Sequence, residues 1–277
     1  MALPHHGVDH YENFPVASIL SPPRLRPAIR AIYGFARTAD DLADEGQASA
    51  SGRLADLKQF RADLSACANG QAGSGRWLSV FEPLAPVLRD FRLPLPLLED
   101  LLSAFEQDVV QQHYDSQAQL LDYCRRSANP VGRLLLHLYD IHEERALECS
   151  DAICTALQLI NFWQDLSVDL SRGRRYLPAD LMAAHGITSA DLMDRHESAA
   201  MAALLRDALG WAQTLMLAGA PLVRQVPGRA GWELRLVVQG GLRIAEQTEA
   251  LGCRVLHQRP TLRLPDFAPL IWRSLTM

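Results

Sequence analysis

Two aspartate clusters, set far apart in a chain that otherwise reads as apolar helix, constrain this sequence more than any other feature. The first is Asp40-Asp41-Leu42-Ala43-Asp44; the second is Asn161-Phe162-Trp163-Gln164-Asp165, continuing to Asp169. A core helix rarely carries several acids on its inward face, because an unpaired carboxylate there is costly. Two such helices facing each other form a natural cage for divalent cations that hold an anionic group, diphosphate above all.

A helix turns by about 100° per residue, which places these side chains on a wheel. With Tyr33 at zero, Arg37, Asp40 and Asp44 fall at about 40°, −20° and 20°, one narrow stripe beside Ile29, Ile32 and Ala36. With Gln158 at zero, Asn161, Asp165 and Asp169 fall at about −60°, −20° and 20°. The second stripe runs along Ala152–Trp163, which has little other polarity, so it is expected to point inward to a functional cavity.

Magnesium suits such a donor set: it takes oxygen ligands and bridges one or two carboxylates to substrate phosphates. Arg37 and Arg174 can donate to the same oxygens as forked, permanently charged groups. One Asp-x-x-x-Asp alone is most simply a solvated pair of acids beside arginines. Two stripes with Asn161 and Gln158 outweigh that reading. A di-iron carboxylate bundle needs Glu-x-x-His pairs on two helices, and no Glu here has His three residues later.

Bulk properties narrow the class. Hydrophobic residues at 48% and charged residues at 21% are ordinary for a soluble globular chain, so the acid clusters are local features. A net charge of −5 argues against a nucleic-acid binder and means that an anionic substrate is held locally. Five cysteines without Cys-x-x-Cys spacing read as reduced thiols of a cytoplasmic protein. The first residues show no basic start followed by an apolar stretch, so no signal peptide is expected.

The periodicity is helical nearly throughout and predicts one all-α domain over residues 1–277, with 1–21 an irregular lead-in. Helices are expected from Ser21–Pro27 to about Asp44, stopped at Gly46, then over Ser51–Ala68, Trp77–Asp90 and Pro94–Val110. Further helices are expected over Ala118–Ser127 continuing past Pro130 to His142, Ser150–Ser171, a short one from Pro178, Ser189–Arg206, Asp207–Pro221 and Gly231–Gly252.

Together these residues resemble the squalene/phytoene synthase family of class I isoprenoid synthases, from about His10 to Trp272. The first family signature is matched by Tyr33-Gly-Phe-Ala-Arg37-Thr-Ala-Asp40-Asp41-Leu-Ala-Asp44. The second is matched by Gln158-Leu-Ile-Asn161-Phe-Trp-Gln164-Asp165, Asp169 and Gly173-Arg174-Arg175-Tyr176-Leu177-Pro178. A third element is Tyr123-Cys-Arg-Arg-Ser-Ala128-Asn129-Pro130-Val131-Gly132. The resemblance implies a helical bundle with a central cavity and a magnesium cofactor on Asp40, Asp44, Asn161, Asp165 and Asp169. It implies diphosphate contacts from His10, Arg37 and Arg174, with Tyr33 and Tyr123 lining the reaction cavity.

Departures from the family pattern point to a branch. Gln164 stands where many members have Arg, Val168 where they often have Glu, and Asn129-Pro130 where Ala-Gly-type residues are common. With Asn13-Phe14-Pro15-Val16-Ala17-Ser18, the combination looks most like the bacterial branch that turns presqualene diphosphate into hydroxysqualene on the way to squalene and hopanoids. That branch quenches its cation with water, and Tyr123, Asn129 and Gln164 are candidates for positioning the water. The rivals are condensation of two farnesyl diphosphates into presqualene diphosphate or squalene, and a non-enzymatic helical assembly factor. Phe267–Leu275 is the stretch expected to touch a membrane surface, or else to pack as a last helix on the core; pathway partner enzymes are a further expectation.

Overall fold

Helix α1 (Arg26–Asp44) shows how this chain converts pattern into packing. Pro27 sits in its first turn, where the missing N–H costs nothing, and Ala28, Ile29, Ala31, Ile32, Phe35, Ala39 and Ala43 are buried. The computed structural model describes residues 21–277. His10 and the Asn13–Ser18 segment therefore lie outside the described residues.

Around α1 stand α2 (Ala50–Ala68), α3 (Leu78–Asp90) and α4 (Leu95–Val110), sharing a core with Phe35, Phe60, Phe81 and Leu84. Phe60 is its hub, with ring centroids 5.2 Å from Phe35 and 4.8 Å from Phe81. A second core fills the other half around α7 (Glu144–Gln164), α11 (Ala199–Gly219) and α12 (Gly228–Leu251). Between the halves run α5 (Gln117–Ser127) and α6 (Asn129–Leu138). The short helices α8 (Leu166–Ser171), α9 (Ala179–Ala184) and α10 (Ser189–Met193) follow α7, and α13 (Leu264–Leu275) packs on α12. The all-α expectation holds: among the described residues the only β feature is an isolated parallel bridge between His113 and Arg175.

Three predicted boundaries move. The expected helix through Pro130 to His142 breaks at Ala128, because Pro130 has no N–H to bond the Arg126 carbonyl and is accommodated in a new first turn, and it ends at Leu138, before Asp140 at φ 60°. The helix expected from Ser150 begins six residues earlier at Glu144 and is interrupted at Asp165. The expected boundary at Arg206/Asp207 does not exist. The break lies instead at Arg195, in the left-handed region at φ 54°, after which Ser198 caps α11 through Met201 N–H at 3.1 Å.

Gly132 explains the close passage of α6 over α7. A Cβ there would stand 2.3 Å from Ser150 Oγ and 2.6 Å from Cys154 Sγ, so no larger residue fits without displacement. Beside it, Thr155 Oγ1 donates to Asn129 Oδ1 at 2.9 Å, both groups buried.

Candidate active site

The first stripe lies along an open flank of α1. Side-chain exposure is 27% for Arg37, 46% for Asp40 and 26% for Asp44, and Tyr33 is at the border of exposure. Arg37 reaches Asp41 at 2.6 Å, Glu45 at 3.2 Å and Asp40 at 3.4 Å. The stripe is thus a mixed-charge strip at a mouth, more open than an inward-facing arrangement.

The second stripe keeps its helical register through the break at Asp165. Asp165 N–H donates to the Asn161 carbonyl and Asp169 N–H to the Asp165 carbonyl, both at 2.9 Å, so the two acids remain one turn apart. Asn161 is exposed, while Asp165 and Asp169 are half-buried.

A glycine then turns the chain back on this stripe. Gly173, at φ 77°, closes α8: its N–H donates to the Leu170 carbonyl and Arg174 N–H donates to the Asp169 carbonyl at 2.9 Å. The turn aims two arginines at the opposite stripe. Arg174 Nη2 and Arg172 Nη1 each donate to an oxygen of Asp44, the latter at 3.1 Å. Arg175 N–H then bonds the Gln112 carbonyl at 2.8 Å, clamping this segment over the end of α4. The two stripes meet across Asp44 and Arg174.

Three partners escaped the sequence reading. Asp108, on α4, accepts from the Tyr123 hydroxyl at 2.8 Å. With Asp44, Arg53, Gln112 and Arg174 it lines a polar recess of about 160 Å³. Its position was legible: it follows Leu101 by seven residues and Ala104 by four, in a row that is otherwise buried and apolar. Arg172 joins Arg174 on Asp44, and Arg259 pairs with Asp165. Arg259 lies in the irregular connection before α13, where no periodicity flags a residue.

The electrostatics single out two acids. Burial pushes Asp108 up to about 7, aided by the fields of Asp40 and Asp44, against the Tyr123 hydrogen bond and Arg174. Burial and the neighbouring Asp165 likewise push Asp169 up to about 7, against Arg174 and Arg172. Arg174 is held charged: burial disfavours its charge, but the Asp44 hydrogen bond and nearby acids outweigh that and raise it. Negative charge is crowded here beyond what the arginines neutralise.

Next to Asp108 stands an aromatic cluster. Tyr176 stacks on Phe162 with centroids 3.7 Å apart and planes at 6°, and Tyr123 lies 6.1 Å from Phe162 and 5.5 Å from Tyr114.

The remaining candidates fall elsewhere. Gln164 is fully buried and donates to the Pro260 carbonyl at 2.8 Å, tying the end of α7 to the connection before α13. Asn129 is 7% exposed and serves the α6–α7 contact. Among the described residues no three His, Cys, Asp or Glu side chains converge as a ready-made metal cluster; the acids are spread along the mouth and engaged with arginines. The donor set itself, carboxylates with one amide and an excess of negative charge, fits a hard divalent cation.

The squalene/phytoene synthase family model matches residues 8–266. Hydroxysqualene synthases of Zymomonas mobilis and Sinorhizobium fredii are 44% and 37% identical over 196 and 227 residues. These alignments cover 68% and 80% of this chain, and 61% and 74% of those proteins. The chain thus spans less than two thirds of the Zymomonas protein that it matches. The solved structure of squalene synthase HpnC from Alicyclobacillus acidocaldarius superposes with a TM-score of 0.81 at 34% identity, covering 88% of this chain and 90% of that one.

Proposed function

This chain belongs to the squalene/phytoene synthase family, and from that premise we propose that it converts presqualene diphosphate to hydroxysqualene, with magnesium at the diphosphate and water as the final nucleophile. The observation that carries the reading is the meeting of both acid stripes with Arg172, Arg174 and Arg37 at one mouth. The similarity to hydroxysqualene synthases supports the choice of branch.

In this reading Asp40, Asp44, Asn161, Asp165 and Asp169 hold magnesium, which when bound neutralises charge on the departing diphosphate. Arg174 and Arg37 are forked donors to the same oxygens, and Arg174 is already raised in its affinity for a proton by the acids around it. Loss of diphosphate leaves a cyclopropylcarbinyl cation that rearranges. The oxygen of one ordered water then bonds to the cationic carbon, and the extra proton leaves to a base.

Of the candidates for positioning that water, Tyr123 with Asp108 is the pair beside the mouth. Its hydroxyl is held by Asp108, and Asp108 lines an open recess able to accept the released proton. Asn129 and Gln164 instead spend side-chain groups on helix packing. The cluster of Tyr114, Tyr123, Phe162 and Tyr176, buried or partly buried, would be the part of the site that keeps bulk water from the cation.

The test is incubation of the purified protein with presqualene diphosphate and magnesium, without nicotinamide, and identification of the extracted lipid by mass spectrometry. Hydroxysqualene is expected. No turnover contradicts the reading, and formation of presqualene diphosphate from farnesyl diphosphate in a parallel tube moves the chain to the condensing branch.

A further inference from the structure

Helix α13 is built inside out. Toward α12 it presents Asp266, Leu270 and Ser274, which are buried, and the two polar groups among them are fully engaged. Asp266 accepts from Arg243 Nε at 2.9 Å, Arg243 Nη2 at 2.8 Å, Gln247 Nε2 at 2.9 Å and the Arg263 backbone N–H at 2.7 Å. Ser274 Oγ donates to the Leu270 carbonyl at 2.8 Å. At about 100° per residue, Phe267, Ala268, Ile271, Trp272 and Leu275 share the opposite face. Phe267 is 48% exposed, Ile271 55%, Trp272 68% and Leu275 55%. No charged residue interrupts this sector; Arg273 lies on the α12 side, paired with Glu246 at 2.6 Å. An ordinary surface helix has the reverse arrangement.

A second tryptophan adjoins it. Trp232, at the start of α12, is 41% exposed and lies 4.9 Å beneath the Arg235 guanidinium, which also donates to the Ser274 carbonyl at 3.4 Å. The segment that carries the patch is basic where the whole chain is acidic. Residues 224–277 carry eight arginines (224, 229, 235, 243, 254, 259, 263, 273) and four acids (233, 246, 249, 266), a surplus of four positive charges in a chain of net −5.

We propose that the outer face of α13, with Trp232, docks onto the surface of an anionic lipid bilayer. Tryptophan at the rim of an apolar helix face, flanked by arginine, is the composition that partitions into a headgroup layer. The basic surplus supplies attraction to anionic lipid that the whole chain's charge opposes. The docked face is also tied to the acidic mouth: Arg259 pairs with Asp165 and Gln164 holds the Pro260 carbonyl, both in the connection that enters α13. The surface and the site are therefore linked by one short segment. This inference does not depend on the proposed reaction.

The experiment is flotation of the full chain with vesicles of phosphatidylcholine, and with vesicles in which part of it is replaced by phosphatidylglycerol. The expected result is binding to the phosphatidylglycerol vesicles that weakens with salt. It should fall roughly tenfold or more in the Ile271→Glu/Trp272→Glu variant. Leu78→Glu, at an exposed apolar residue on α3, should leave binding unchanged. Circular dichroism confirms that each variant is folded. Failure of the wild type to float with anionic vesicles overturns the proposal, as does equal binding by the double variant. So does a wild-type dimer, seen by sedimentation, that the double variant disperses while vesicle binding is absent throughout, since the face then joins two copies.

Discussion

Asp63 and Asp169 are both enclosed carboxylates, yet the structure treats them in opposite ways. Asp63, on α2, is only 3% exposed. It accepts from Ser74 N–H at 2.8 Å, Ser74 Oγ at 2.5 Å and Gln59 Nε2 at 3.2 Å. Burial works to raise its pKa, but those donors win and hold it below its ordinary value. At Asp169 burial comes first, the neighbouring Asp165 adds to it, and together they push the carboxyl up to about 7 against Arg174 and Arg172. Asp63 is held ionised by direct donors, whereas Asp169 meets its arginines only through their field. Asp63 locks the loop after α2; Asp169 and Asp108 belong to the candidate site, where acids crowd one another.

Neutralising one acid of each kind should separate the two roles most strongly. Asp44→Asn or Asp165→Asn should lower kcat/KM on presqualene diphosphate by roughly 10²- to 10³-fold while the thermal midpoint changes little. Steady-state kinetics beside calorimetry checks both halves of that statement. Asp63→Ala should do the opposite. It leaves the Ser74 donors without their acceptor and should cost about 2–3 kcal/mol in urea unfolding, with kcat/KM per folded molecule unchanged.

Gly132→Ala sharpens the contrast from the packing side. The resemblance groups Gly132 with Tyr123 and Asn129, but its contacts are Ser150 and Cys154 on α7. Overpacking there should cost about 1–3 kcal/mol by the same unfolding measurement, without changing the magnesium dependence of turnover.

The smallest effect concerns pH, and its sign follows from the two kinds of acid. Asp108 and Asp169 are raised from 3.8 to about 7, so the fold retains protons that the unfolded chain has lost. In chelator, stability should therefore fall as pH rises from about 4 to about 7. Asp63 contributes in the opposite sense: its stabilisation is present above its unfolded value of 3.8 and is lost as pH falls below it. Thermal midpoints in chelator should drop by a few degrees between about pH 5 and about pH 8, and Asp169→Asn should shrink that drop. Magnesium should raise the midpoint more at the higher pH.

Most of the helical architecture was legible because apolar residues recur at helical spacing. Where proline and glycine bracket a helix, as in α1 (Arg26–Asp44), the boundaries agree with expectation, but the break before Pro130 and the Ser198 cap were missed. The misplaced boundary between Arg206 and Asp207 lacks any such punctuation. For the site, local register put Asp40 with Asp44 and Asp165 with Asp169, and the Schellman turn at Gly173 is written in its sequence. Asp108 meets Arg174 only through the clamp of Arg175 on Gln112, a contact made in three dimensions. Gln164 shows the converse: its place in a motif pointed to the cavity, whereas its side chain serves a distant backbone carbonyl.

The proposed reaction requires the two stripes to act as one site across Asp44 and Arg174. A double-mutant cycle in kcat/KM with Asp44→Asn and Asp169→Asn tests it most directly, with presqualene diphosphate and magnesium. If the acids serve a single cation–diphosphate centre, the double variant is scarcely slower than the worse single variant. Losses that multiply would show two independent acids and contradict that requirement.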